Sequence, residues 1–207
     1  MKLPVPALLF LLPAFGTLLL LGGQGVYPGL PLASIGGVLW IVFAIVALDR
    51  CPTPKPGLGG QHLSPAEWRA WIGLGVCAIA LAYFLVNLPL IRHETWPHAA
   101  HARAVGGNLV MLLVAWAVGG RVMASRWRDR VQEDERDRAI ASRAERSGAT
   151  GLALAVICLV VTLGLSPPAR LQWASHFLIA HLLLAALLWG WLVEHATQAW
   201  LHWQDRR

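Results

Sequence analysis

Six separate runs of mostly apolar residues, each about as long as a membrane-spanning helix, constrain this chain more than any other feature. They lie near residues 5–22, 31–48, 68–90, 104–124, 149–166 and 171–193. A helix crosses the hydrocarbon core of a bilayer with about 20 residues. Hydrophobic residues make up 57% of the 207 residues and charged residues 14%, which leaves little polar sequence for a separate soluble domain. The sequence predicts an all-α fold, a single polytopic helical membrane bundle with six transmembrane helices.

The basic residues are distributed unevenly between the two sides that six spans would create. If the N-terminus is cytoplasmic, 14 of the 17 lysines and arginines lie on the cytoplasmic side, and Arg92, Arg103 and Arg170 lie on the other. Lysine and arginine accumulate in the cytoplasmic loops of membrane proteins. We therefore expect a multi-pass protein of a bacterial inner membrane with both termini cytoplasmic. Orientation in a lipid bilayer then accounts for the net charge of +6, and we expect no direct nucleic-acid partner.

The start of the third helix is marked by three consecutive signals. Ser64 can accept a hydrogen bond from an early backbone N–H, Pro65 fits the first helical position, and Glu67 fits the first turn. We expect this helix to begin at Pro65.

Paired glycines in the apolar runs predict places where helices approach closely, because no side chain separates the two backbones. The same property is compatible with a homodimer. The glycines expected at such crossings are Gly36, Gly37, Gly106, Gly107, Gly119 and Gly120.

Residues 121–148 form the one strongly charged segment, with eight arginines and six acids. The segment lacks proline, and its glycine stands at the end, so we expect a cytoplasmic helical hairpin between helices four and five. The turn is expected near residues 132–134. Such a surface, with charges of both signs, suits a soluble protein partner. The alternative is a solvated connector whose arginines only fix the topology.

Part of this segment resembles a motif of a known family. The motif residues stand directly before the fifth apolar run: Asp134, Glu135, Arg136, Asp137, Ile140 and Arg143. Their order and spacing resemble an uncharacterised family of small predicted prokaryotic membrane proteins, in which the motif precedes two closing transmembrane helices. The resemblance covers about residues 133–207. It implies a regulatory role, because such proteins resemble membrane partners encoded beside small helix-turn-helix regulators, and it implies no catalytic residue. From the charge of the hairpin itself, we expect these six residues to contact the soluble partner.

The last predicted helix ends in a polar stripe. Glu194, Gln198 and His202 are spaced by four residues, so they share one helix face. We expect this stripe to dock against arginines of the hairpin. The alternative is an ordinary helix end at the membrane surface.

Four polar residues lie within or near the ends of the apolar runs, namely Asn87, Asn108, His176 and His181. Polar groups at membrane depth are unfavourable and are often functional. They predict a polar path for a small transporter or channel. The alternative is hydrogen bonding of the histidines to Asn87 or Asn108, which would fix the packing of the helices.

The loop between the third and fourth runs concentrates imidazole groups at His93, His98 and His101. Imidazoles suit zinc or copper, and His98 or His101 could pair with His176 across a haem. The alternatives are solvated histidines and a pH sensor. No enzyme signature accompanies these residues. The leading hypothesis is therefore a non-enzymatic membrane sensor or scaffold without a cofactor; transport and metal or haem binding are the alternatives.

Overall fold

The computed structural model describes residues 5–22, 32–49, 64–93, 100–127, 135–167, 171 and 174–205. Nearly all of these residues belong to six α-helices, and no strand occurs among them: α1 Val5–Gly22, α2 Leu32–Asp49, α3 Pro65–His93, α4 Ala100–Trp127, α5 Glu135–Leu165 and α6 His176–Asp205. The all-α prediction is confirmed. Three helices, α3, α5 and α6, are long and apolar enough to cross a membrane.

The helices alternate in direction along the chain. Ser34 and Asn108 meet at one end of the bundle, whereas Ala47 and Trp68 meet at the other. We call the first of these the Tyr83 end and the second the Glu67 end. The Tyr83 end comprises residues 32–37, 80–91, 102–109 and 177–182, and the Glu67 end comprises residues 64–71, 135–144 and 195–205.

The centre of the bundle is built by α3, α4 and α6. Its buried apolar side chains include Tyr83 and Ile91 of α3, Leu109 and Leu112 of α4, and Leu188 of α6. The three remaining helices pack from the sides, because α1 contacts mainly α2 and α5 contacts mainly α6. α5 is therefore peripheral and lies on the outer side of the central helix α6; we call these two helices the arm.

Serine caps define where α3 and α6 begin. The backbone N–H of Glu67 donates to Oγ of Ser64 at 3.1 Å, which confirms the predicted start of α3. The backbone N–H of Leu178 donates to Oγ of Ser175 at 3.2 Å. This second cap starts α6 at His176, so the predicted start at residue 171 is wrong.

Both helices of the arm continue past their predicted spans. α5 begins at Glu135, directly after the turn predicted at residues 132–134, which lie outside the described residues, and ahead of the span predicted from residue 149. α6 continues to Asp205, past the end of its predicted span at residue 193, as expected for a helix whose end carries the polar stripe. About 30 residues of helix measure roughly 45 Å, which exceeds the roughly 30 Å hydrocarbon core. The segments before 149 and after 193 therefore extend beyond the predicted spans.

Three of the predicted glycine crossings are present, including that at Gly37, where an added Cβ would lie 3.2 Å from Cε of Met111 in α4. A Cβ added at Gly36 would lie 2.5 Å from the backbone nitrogen of Leu20, and one added at Gly106 would lie 3.0 Å from Nε2 of His181. No crossing within the described part of the chain occurs at Gly107 or Gly120, because a Cβ at either position meets none of the described atoms within 4 Å.

The closest approach of α5 and α6 occurs at a glycine pair outside the predicted set. A Cβ added at Gly148 would lie 2.7 Å from Cβ of Glu194 and 2.9 Å from the carbonyl oxygen of Gly190. A Cβ added at Gly190 would lie 2.9 Å from Cβ of Leu152. Real Cβ atoms rarely come this close to other heavy atoms, so both positions require glycine at this helix separation.

Candidate functional site

A buried hydrogen-bond network joins three helices at the Tyr83 end. Ser34 Oγ donates to Asn108 Oδ1 at 2.8 Å, and Asn108 Nδ2 donates to Tyr83 Oη at 3.0 Å. The amide of Asn87 donates to the backbone oxygen of Tyr83, one turn earlier in α3, at 2.8 Å. Tyr83 and Asn87 are fully buried. Such bonds between helices hold their relative rotation in an apolar environment.

His181 joins α6 to α4 in the same part of the bundle. Its Nδ1 lies 2.6 Å from the carbonyl oxygen of Phe177, and its Nε2 lies 2.8 Å from that of Ala102. The ring covers Gly106, where a side chain would collide with it. The expected partners of this histidine were Asn87 and Asn108, and that expectation is wrong. Backbone carbonyls take their place because the missing side chain of Gly106 lets the ring reach the backbone of α4.

His176, the fourth residue of the predicted polar path, is not buried with the other three. His176 is exposed at the start of α6, with its ring centroid 4.3 Å from that of Phe177, whereas His181 is 4% exposed. The side chains of His93, His98 and His101 lie outside the described part of the chain. Among the side chains that are described, no group of three or more histidine, cysteine or acidic residues could hold a metal ion.

The bundle also contains a small apolar cavity between α3, α4 and α6, with a volume of about 10 Å³. Cys77, Trp116 and Trp191 are among its lining residues. This volume is at the lower limit for one water molecule, and an apolar lining favours an empty cavity.

Another histidine, His195 at the polar end of α6, lies next to this region. Trp116 Nε1 donates to His195 Nε2 at 3.3 Å, and the imidazole ring lies where a side chain at Gly73 would be. Nδ1 of His195 is buried without a hydrogen-bond partner. The contact adds a second histidine link between α4 and α6.

At the Glu67 end, the start of α5 is held against the end of α6. Arg136 forms an ion pair with Asp205, at 2.8 Å from Nη2 to Oδ2. His202 Nδ1 lies 3.9 Å from Asp137 Oδ1. The predicted docking of the α6 end against the hairpin is thus present, but the arginine pairs with Asp205, which stands outside the predicted stripe.

Three side chains of this end are unusually buried for polar groups. Glu67 is 2% exposed, Gln198 5% and His202 6%. Nε2 of His202 has no hydrogen-bond partner. Burial lowers the pKa of the His202 imidazole, while the carboxylates of Asp137 and Glu67 act in the opposite direction. The burial of Glu67 could not be predicted from the sequence, because an acid in the first turn of a helix is usually solvated.

The opposite side of the α5 start is a charged surface. We call it the α5 charged face; its exposed members are Glu135, Arg138, Arg143, Glu145 and Arg146. Ile140 was expected among the partner contacts, but it is 6% exposed and lies on the buried side with Ala144. Asp134 lies outside the described residues. The arm therefore separates an apolar docking side from a charged exposed side.

Comparison with known proteins finds no relative: no family model matches the chain, and neither a curated protein nor a solved structure is similar to it. The resemblance of residues 133–207 to a family of small membrane proteins stays a prediction based on its motif.

Proposed function

We propose that this chain is a non-enzymatic membrane sensor or scaffold whose α5 charged face binds a cytosolic regulatory protein. In this proposal all six helices cross a bacterial inner membrane, and the Glu67 end is cytoplasmic. The alternating helix directions support six crossings, and the uneven distribution of basic residues supports the orientation.

The observation that carries the proposal is the ordered, one-sided exposure of the α5 start. Ile140 and Ala144 fix the helix on α6, so the charged residues project from a helix that is already folded. A partner binding there has little chain to order, which favours affinity. Arg143 and Arg146 alternate with Glu145 and Glu135, so the surface suits a protein with complementary charges of both signs.

The Tyr83 end supports the sensing part of the proposal. Its polar groups link α2, α3, α4 and α6, and an arrangement of this kind can have two packings of similar energy. A ligand shifts such an equilibrium when it binds one packing more tightly than the other. Transport through Asn87, Asn108, His176 and His181, and metal binding at His93, His98 and His101, stay predictions.

Photo-crosslinking in cells tests the proposal. A photoreactive amino acid at Ser142, which is exposed on α5, reports on neighbours of the charged face without removing a charge. The same probe at Thr162, exposed in the apolar half of α5, is the matched control. The variant Arg143→Glu with Glu145→Arg exchanges two charges and leaves the net charge unchanged.

We expect a soluble protein to crosslink at position 142, to be absent at position 162, and to be lost in the charge-exchange variant. Identical products at the two positions would overturn the proposal. A product at position 142 that persists after the charge exchange would also overturn it, because the charge pattern would then have no part in recognition.

A further inference from the structure

The contact between the α5 start and the α6 end contains a histidine whose environment favours only one protonation state. His202 is 6% exposed, its Nε2 is buried without a partner, and its Nδ1 is 3.9 Å from Asp137 Oδ1. At that separation the ring and the carboxylate do not form a short charged hydrogen bond. A protonated ring here would be desolvated, with its Nε2 unpaired and the nearest carboxylate oxygen 3.9 Å from Nδ1.

Charged groups face this histidine from each helix packed around it. Asp137 and Arg136 belong to α5, Glu67 belongs to α3, and Asp205 belongs to α6 itself. The three carboxylates raise the pKa of His202 and the arginine lowers it, but desolvation is the largest effect, so the pKa lies below its usual value of 6.5. Docked α5 thus disfavours protonation of His202.

Release of the α5 start would expose His202 to water and so remove the desolvation penalty on its protonated form. The Arg136–Asp205 pair, which joins the same two segments, is solvent-exposed and therefore opposes release only weakly. Ile140 and Ala144 are the main apolar contacts of this stretch.

We propose that His202 is a proton-sensitive clasp that releases the start of α5 from α6 when the cytoplasmic side becomes acidic. This regulation rests on the proposed function, since the released segment carries the α5 charged face. The direction of the pH effect on docking follows from the difference in the pKa of His202 between the docked and released states. A group whose pKa is lowered in the docked state takes up its proton on release, so docking is fully stable above about pH 6.5 and weakens as the pH falls below it. The ratio of released to docked protein rises by up to about tenfold per pH unit over that range.

Distance measurements between two spin labels test the clasp in the full chain in lipid nanodiscs. Labels are placed at Ala139→Cys on α5 and Gln204→Cys on α6, both exposed positions, after the three native cysteines are replaced by alanine. At pH 7.5 we expect one short distance. Between pH 6.5 and 5.0 we expect a second, longer distance whose population grows.

Three variants make the result specific. His202→Gln should stay docked at every pH, whereas His176→Gln, at the exposed start of the same helix, should respond like the unmodified protein. Asp137→Asn removes a carboxylate that favours the protonated ring in the docked state, so acid should release α5 more readily and the transition should move to higher pH. This variant keeps the test informative if His202→Gln does not fold.

An unchanged distance from pH 7.5 to 5.0 overturns the clasp, as does the same transition in His202→Gln or an unshifted one in Asp137→Asn. The crosslinking at Ser142 is performed at pH 7.5 and is scored separately. Release without a crosslinked partner would overturn the proposed function and leave the clasp standing, and a partner without release would do the reverse.

Discussion

Replacing Gly148 with alanine tests how closely α5 and α6 are packed. The added Cβ would lie 2.7 Å from Cβ of Glu194 and 2.9 Å from the carbonyl oxygen of Gly190. Carbon atoms in ordinary contact are about 3.5–4.0 Å apart, so the helices must separate locally by about 1 Å. Neither neighbouring atom is the free end of a flexible side chain, so the strain cannot be relieved by a change of rotamer.

The expected change in unfolding free energy for Gly148→Ala is the sum of two opposing effects. Overpacking of this kind costs about 1–3 kcal/mol of unfolding free energy. Alanine also stabilises the interior of a helix relative to glycine by about 0.5–1 kcal/mol. We therefore expect Gly148→Ala to destabilise the protein by about 1 kcal/mol.

Gly107→Ala is the matched control. It makes the same chemical change in α4, but its Cβ would meet no atom within 4 Å. It should be neutral or slightly stabilising, so the difference between the two variants isolates the close approach and should amount to about 1–3 kcal/mol. The assay is reversible unfolding in mixed micelles of increasing dodecyl sulfate content, followed by circular dichroism. Equal effects of the two substitutions would refute the close packing of α5 on α6.

Other substitutions probe the networks at the two ends, with the same unfolding assay. Tyr83→Phe removes the hydroxyl that accepts from Asn108 and should cost about 0.6–1.7 kcal/mol, as hydrogen bonds between membrane helices do; no loss would mean that this bond is not formed in the membrane. Ser64→Ala removes the cap of α3 and should cost about 1 kcal/mol. Arg136→Ala breaks an exposed ion pair with Asp205 and should cost less than about 1 kcal/mol, with the effect vanishing at high salt; a loss larger than that of Ser64→Ala would contradict this ranking.

The sequence predicted those features of the fold that depend on one helix at a time. The apolar run near 5–22 matches α1, and the serine, proline and glutamate at 64–67 mark the start of α3. The start of α6 was misplaced because the apolar run begins before the capping Ser175. Capping depends on one hydrogen bond, which hydropathy does not report.

Features that depend on the rotation and register of neighbouring helices could not be predicted. Glycine content alone does not distinguish Gly107, which faces open space, from Gly148, which touches α6. Tyr83 and Ser34 look like ordinary members of apolar helices until Asn108 is placed between them. The histidine partners were missed for the same reason, since a backbone carbonyl of another helix leaves no mark in the sequence of the helix that contacts it.

The dependence of α5 on α6 has a consequence for the order in which the protein is made. α5 finds most of its packing surface on α6, which follows it in the chain. During synthesis α5 leaves the ribosome while residues 176–205 are still to come. Until α6 has been synthesised, α5 therefore stays in the insertion machinery or in lipid without its packing partner. By contrast, α2 can pack on α1, which is already present. The last two helices therefore assemble together, late in synthesis. If the ribosome stalls between them, the four earlier helices are present together with an α5 that is not packed.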